Sequence, residues 1–383
     1  LARALYIHWP FCEKKCPYCD FNSHVRSDVD IGAWEAALLA DMRAEAAVAG
    51  GEGLTSIFFG GGTPSLMPPA LVERLIGEAE LLWGFDPDIE ITLEANPSSV
   101  EAANFAGLAG AGVNRVSLGV QSLEDKTLKW LGRLHGAHEA LAALDVAQRR
   151  FARVSFDLIY ALPDQTPDQW ERQLSRALAL GTSHLSLYQL TIEPATRFET
   201  DVRRGVFEPL DDDEAAKLYT LTQDMTGTAG VPAYEISNHA RPGEESRHNL
   251  TYWRYQDYAG IGPGAHGRRG GFATTRHRKP ENYLKAVEAR GHGIQEQQLL
   301  PANEQLSEAL LMGLRLVEGI DLGALASRYN VPVETLVHEQ KREQLKQLEL
   351  IWTEGTRIGV TAKGLPVLDA ILAELVDEAL VLA

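Results

Sequence analysis

The chain has 383 residues, 45% of them hydrophobic, and a formal net charge of −17 from 53 acidic against 36 basic residues. A single core stops growing near ~250–300 residues, so a main domain plus a smaller one is expected. The acidic balance argues against a nucleic-acid binder as a whole, because neutralising phosphates takes a basic surface; the absence of any run of eighteen apolar residues argues against a spanning helix.

Strands alternating with helical stretches, the pattern of parallel β/α units, fill the first half. The first strand is expected over 4–8, at the very start of a sequence that opens without an initiator Met and without the basic n-region of a signal peptide. A loop with all three cysteines follows, then a helix near 31–49 with Leu38, Leu39, Met42 and Ala46 on one face. Strand two, 55–59, ends in Gly60-Gly61-Gly62-Thr63-Pro64 and leads to a helix near 68–83. Strand three, 89–94, is stopped by Asn96-Pro97, with a helix over about 98–111. Strand four spans 115–121, followed by helices near 124–131 and 137–151. Strand five spans 154–160, then a helix near 167–180 and strand six over 184–190. Six such units suggest an open, partial (β/α)6 barrel over 1–240, an α/β fold, since a closed eight-unit barrel takes ~250 residues. Chemistry is expected at the carboxyl ends of its strands. Cys12, Gly60 to Thr63, Glu94, Gln121, Asp157 and Gln189 lie there.

Beyond 205 the pattern loosens. A helix near 211–229, a short apolar strand at 232–236, a glycine-rich and aromatic stretch at 241–272 and a helix at 280–290 are expected. Residues 241–300 thus read as a connecting segment, bounded by Gly291 to Gly293 and Pro301. The tail, 301–383, carries helical patterns near 303–317, 321–329, 332–348 and 363–377, and one hairpin turning at Glu354-Gly355. Helices followed by a small β wing resemble a winged-helix domain. Lys341, Arg342 and Lys346 share their helix with Glu339 and Glu343, so a solvated face is the better account than a DNA surface. A lid or docking domain over the main site is expected.

The cysteines are spaced Cys12-x3-Cys16-x2-Cys19. Three soft thiolates can hold three irons of a four-iron, four-sulfur cluster. A closed site would want a fourth thiolate, and the residue two after Cys19 is Phe21. One iron is then left for a ligand that is not protein. Zinc held by the three thiolates and His8 or His24 is the alternative. A disulfide framework fits poorly with three cysteines packed into eight residues. A reachable cluster and free thiols point to a reducing cytoplasm.

This spacing resembles the radical S-adenosylmethionine (SAM) superfamily. The longer phrase from Tyr6 through Trp9-Pro10-Phe11 to Cys19-Asp20-Phe21-Asn22 is similar to the HemW family of heme chaperones, relatives of the oxygen-independent coproporphyrinogen III oxidases. The resemblance implies that SAM binds the open iron and that the glycine-rich motif, Gly61, Gly62 and Thr63, meets its methionine ammonium. It places Tyr6, Tyr18, Glu94, Gln121, Arg133 and Asp157 around SAM. Physically, Arg133 can clamp a carboxylate bidentately, and Glu94 and Asp157 can accept from an ammonium or hydroxyl.

A second phrase, Arg247-His248-Asn249-Leu250-Thr251-Tyr252-Trp253, is similar to the HNxxYW motif of the same family. It makes His248 the candidate heme ligand, with His239, His266 and Tyr252 as rivals. From spacing alone, a buried structural histidine with Tyr252 and Trp253 in the core is the better reading. The family implies heme as cargo and respiratory apo-proteins as recipients; oligomeric state stays open. The competing expectation is an oxidase or other radical SAM enzyme acting on a tetrapyrrole. Against the oxidase stand Phe21, where the oxidases carry a further cysteine, and the short stretch before the first strand.

Overall fold

Alternation at a period of two sorts each strand of the chain into a core face and a site face. The structure is a computed structural model that describes residues 2–26, 28–51 and 53–376; residue 377 of the expected last helix and the remaining tail lie outside the described residues. Strand β1 (Ala4–Trp9) turns Leu5, Ile7 and Trp9 into the main core and Tyr6 and His8 the other way. The short parallel pair β2 (Phe11–Cys12) and β3 (His24–Val25) brackets the cysteine loop. Helix α1 (Ile31–Ala49), capped by Asp30 accepting from the Ala33 N–H, returns the chain to β4 (Leu54–Gly61).

The same unit then repeats. Helix α2 (Pro69–Trp83) precedes β5 (Phe85–Ala95), α3 (Ser99–Gly110) precedes β6 (Arg115–Gln121), and α4 (Asp125–Trp130) with α5 (Ala137–Arg150) precedes β7 (Arg153–Tyr160). Helix α6 (Pro167–Leu178), opened by a Thr166–Gln169 capping box, leads to β8 (His184–Gln189). Ile91, Leu93, Val116, Leu118, Val154, Phe156 and Leu158 pack outward against the helices. Thr92, Glu94, Ser117, Gly119, Ser155 and Asp157 occupy the alternate positions, facing the barrel interior. Strands β1 and β4 to β8 are mutually parallel, the expected six-unit partial barrel.

After α7 (Arg197–Arg203) and α8 (Asp212–Thr228) the structure departs from expectation. The apolar run at 232–236 is not a strand. It folds back as a turn, with the Tyr234 N–H donating to the Asn238 carbonyl and Glu235 accepting from the Ser237 N–H and the Asn238 amide. The strand is β9 (Asn238–Ala240), antiparallel to β8. Buried Glu235 satisfies the turn's donors, and that local competition outweighs apolar character.

Residues 241–300 do more than connect. Helix α9 (Arg247–Trp253) is followed by β10 (Tyr258–Ile261), which pairs parallel with β1; β11 (His266–Arg269), β12 (Phe272–Arg276) and, after α10 (Pro280–Arg290), β13 (Ile294–Leu299) extend the sheet antiparallel. The order is β13-β12-β11-β10-β1-β4-β5-β6-β7-β8-β9, so β1 is an inner strand. A second core of Leu306, Leu310, Leu322, Leu336, Ile351, Ile358 and Ile371 holds the tail. It joins α11 (Ala302–Gly313), β14 (Ile320–Asp321), α12 (Leu322–Tyr329), α13 (Glu339–Gln347), the hairpin β15 (Ile351–Glu354) with β16 (Arg357–Val360), and α14 (Leu368–Leu375). The single helix expected over 332–348 is broken, because Leu336 and Val337 turn into this core and the His338 N–H donates to the Leu375 carbonyl.

Buried ionic ties fasten β10 to β13 onto α1. Asp41 accepts from Arg276 Nε at 3.3 Å, Tyr283 Oη at 2.9 Å and the N–H groups of Gly262 (3.3 Å) and Gly293 (3.0 Å). Glu45 pairs with Arg269 Nε at 2.5 Å and Arg276 Nη2 at 2.7 Å. Asp41 and Arg276 are fully buried, so removing one partner strands the other. Asp41→Ala is expected to cost about 3–5 kcal/mol in denaturant unfolding; a loss below about 1 kcal/mol would show that this tie does not anchor the segment.

Candidate functional site

The carboxyl ends of β4 to β7 and the cysteine loop enclose a cavity of about 170 Å3. Cys12, Cys16, Cys19 and Tyr18 line it from the loop, and Gly61, Gly62 and Thr63 from the end of β4. Glu94 and Asn96 come from β5 and its end, Ser117, Gly119 and Gln121 from β6, Asp157 from β7, and Arg133 from the turn before α5. Two glycines are required by close approach. A Cβ on Gly62 would lie 2.5 Å from the Phe11 carbonyl oxygen, and one on Gly132 2.7 Å from Pro17 Cδ. Both contacts press a neighbouring turn onto the cysteine loop.

Arg133 ties the two sides together. Its Nη2 donates to Asn96 Oδ1 at 2.5 Å and to the Gly119 carbonyl at 2.8 Å; its Nη1 lies 3.4 Å from Tyr18 Oη and 3.5 Å from Cys16 Sγ. Its Nε–H is buried without a partner, an unspent donor at the cavity wall. Asn96 also donates to Thr63 Oγ1 at 3.2 Å, and Thr63 Oγ1 lies 3.5 Å from Cys12 Sγ. Gln121 ends β6 at φ +69°, a left-handed conformation that costs a non-glycine residue about 1–2 kcal/mol and recurs at functional sites.

The electrostatics fit an incoming cation. Burial lifts Glu94 to about 8, with Asp157 adding to the rise and the Gly61 N–H, 3.1 Å away, opposing it. Burial also lifts Asp157 to about 6 against the hydroxyls of Ser186 and Ser117. Two carboxyl groups facing one cavity cannot both ionise cheaply until a positive group arrives. Burial pushes the Cys12 and Cys19 thiols up as well. Among the described residues no three His, Cys, Asp or Glu side chains converge as a single metal ion requires. Three thiols on one wall, and no fourth ligand in place, suit a polynuclear iron–sulfur group better than the zinc alternative.

Eleven residues singled out in the sequence line this cavity: the three cysteines, Tyr18, Gly61, Gly62, Thr63, Glu94, Gln121, Arg133 and Asp157. Tyr6 lines an adjoining hollow of about 310 Å3 that shares Phe21, Gly61 and Glu94 with it. Gln189 is not brought in; it donates to the Ala215 carbonyl at 2.9 Å and steadies α8. Asn96 and Ser117 were missed. Asn96 reads in sequence only as a strand stop, and its place between Arg133 and Thr63 depends on residues 37 and 33 positions away.

His248 sits elsewhere. It is 1% exposed, at the amino end of the barrel interior. Its Nδ1 pairs with Ser56 Oγ at 3.0 Å and its Nε2 with Tyr252 Oη at 2.7 Å. It stacks on Phe58 with centroids 5.0 Å apart. Both ring nitrogens are thus engaged within the protein, the arrangement of a buried structural histidine. His239, a rival, is fully buried.

The Radical SAM superfamily model matches residues 6–176 and the HemN C-terminal domain model residues 300–367. The chain is 40% identical to the heme chaperone HemW of Escherichia coli, over 82% of this chain and 83% of that one, and 32% identical to that of Bacillus subtilis over 94% of this chain and 96% of that one. The chain belongs to the HemW heme-chaperone family. A bovine relative, radical S-adenosyl methionine domain-containing protein 1, mitochondrial, is 38% identical over 98% of this chain and 87% of its own. The coproporphyrinogen III oxidase HemN of E. coli has the same fold as this HemW-family chain, with a TM-score of 0.81 at 22% identity over 97% and 89% of the two chains.

Because folding raises the Glu94 pKa above its unfolded ~4.3, this group favours the folded state below that pH. Its contribution falls as pH climbs from about 4.3 through about 8. Contact with the solvent-filled cavity moderates the effect. Glu94→Gln is expected to raise the melting temperature of the metal-free protein at pH 9 by about 2–4 °C, and not at pH 5, by scanning calorimetry. Equal shifts at both pH values would refute the buried-carboxyl account.

Proposed function

We propose that this chain binds heme and passes it to apo-proteins of respiration, with a [4Fe–4S] cluster and SAM held beside the cargo. The observation that carries the reading is its 40% identity to the E. coli heme chaperone HemW over 82% of this chain and 83% of that one. Phe21 supports it, since it stands where the oxidases carry a further cysteine. The oxidase alternative has only the 22% likeness to HemN, which carries the fold alone.

Cys12, Cys16 and Cys19 would each hold one iron. When bound, the cluster supplies an open iron and an electron, and SAM a sulfonium that can accept it. Arg133 would take the SAM carboxylate; it is charged, buried at the wall and held in place by Asn96 and Gly119. Glu94 and Asp157 would accept from the ammonium and ribose hydroxyls, Glu94 losing the proton that burial makes it keep near neutral pH. Gly61, Gly62 and Thr63 let backbone groups reach the ligand, and Tyr6, Tyr18 and Gln121 complete the wall.

Among the described residues no helix is long and apolar enough to cross a membrane. Free thiols with no disulfide support a reducing compartment, the cytoplasm.

Anaerobically reconstituted protein is expected to bind heme, release it to an apo-hemoprotein, and form no protoporphyrinogen IX from coproporphyrinogen III and SAM. Turnover of coproporphyrinogen III would replace the chaperone reading with the oxidase one. Arg133→Lys is expected to weaken SAM binding at least about ten-fold in calorimetric titration, because an ammonium cannot reproduce the guanidinium fork.

A further inference from the structure

The hollow beside the cysteine cavity is lined by Tyr6, Tyr252, Tyr258, Phe21, His266 and Arg278, and opens to solvent. Two histidines reach it. His8 is spoken for, with Nδ1 on Tyr6 Oη at 3.0 Å and Nε2 on the Asn22 carbonyl at 2.9 Å. His266, at the start of β11, is exposed, and among the described residues neither ring nitrogen has a hydrogen-bond partner. Arg278 is also exposed, and among the described residues its guanidinium holds no ion pair. Phe21 is 57% exposed at the rim, an apolar ring with nothing against its outer face. Tyr252 and Tyr258 stand edge to face, centroids 4.5 Å apart.

We infer that His266 is the axial ligand for the heme iron in this hollow, with Arg278 pairing a heme carboxylate and Phe21 covering part of the macrocycle. The inference rests on the heme-chaperone reading and names its site. A planar, anionic, iron-bearing ligand wants an unengaged imidazole, aromatic walls and an unpaired cation at the rim. The hollow offers all three. Partial desolvation by the surrounding walls, which leave the ring exposed on its open side, and the charges of Arg268, Arg278 and Arg276 press His266 toward the neutral form that ligates.

A second cavity of about 270 Å3, between α9, β12 and α11, has aromatic walls but no histidine in its lining, and its arginines are engaged. There Arg268 is clamped by Glu308 at 2.8 Å and Arg328 donates to the Tyr255 carbonyl at 3.0 Å. The structure also gives the HNxxYW histidine a part in the hollow. The 2.7 Å contact from His248 Nε2 to Tyr252 Oη holds a ring that lines it. His248 is thus a positioning residue for the heme site.

The test is a heme titration of the anaerobic, cluster-loaded full chain, read as Soret difference spectra against the same protein without heme. His266→Ala, at an exposed position, is expected to keep the melting temperature, shift the Soret band and weaken binding at least about ten-fold. Added imidazole should restore the band position. Arg278→Gln and His248→Gln should weaken binding without moving the band. A wild-type chain that takes up no heme overturns both the chaperone reading and this assignment. Heme uptake with an unchanged band in His266→Ala, or a shifted band in His248→Gln, overturns the assignment alone.

Discussion

One guanidinium holds the site in register. The cysteine loop belongs to β1 and β2, while its opposite wall belongs to β4, β5 and β6, and Arg133 is the side chain that touches both through Cys16, Tyr18, Asn96 and Gly119. Its burial carries a desolvation penalty that only well-formed hydrogen bonds offset. Four of its contacts are therefore also constraints on strand spacing. The remaining unpartnered Nε–H is the one donor left for a ligand.

The barrel interior has two ends with opposite electrostatic character. At the amino end Glu90 is satisfied by Arg153 at 2.7 Å, by the Ser246 hydroxyl and by the His248 N–H, both at 3.3 Å. That end is sealed by α9. At the carboxyl end Glu94 and Asp157 face each other without a cation between them, and both pKa values rise. Charge pairing stabilises one end; its absence at the other is what makes that end receptive.

Much of this was legible because parallel strands buried on both sides show short apolar runs between helical patterns. Strands β1 and β4 to β8 follow from those runs, and Glu94, Gln121 and Asp157 are the polar residues at their ends; the cysteines are marked by their spacing, and Tyr18 and Arg133 by the family resemblance. What was illegible depends on distant partners. Strand β10 is four residues long and gains its place by pairing with β1, some 250 positions earlier in sequence. The run at 232–236 is apolar enough for a strand, yet Glu235 binds its own turn. His248 stands in a motif that resemblance offers as a heme ligand, and nothing in that motif shows that Ser56 and Tyr252 engage both ring nitrogens.

The insertion of β1 between β4 and β10 bears on how the protein is made. The cysteine loop leaves the ribosome well before its neighbours, and β1 lacks one flank until 258–261 have been synthesised. Asn22, within that loop, likewise waits for the carbonyls of Pro263 and Arg278. At about 5–20 residues per second the interval is roughly 12–48 s. Throughout it the thiols sit on a half-built scaffold, so the wall around the cysteine loop is complete only after translation of the sheet's far wing.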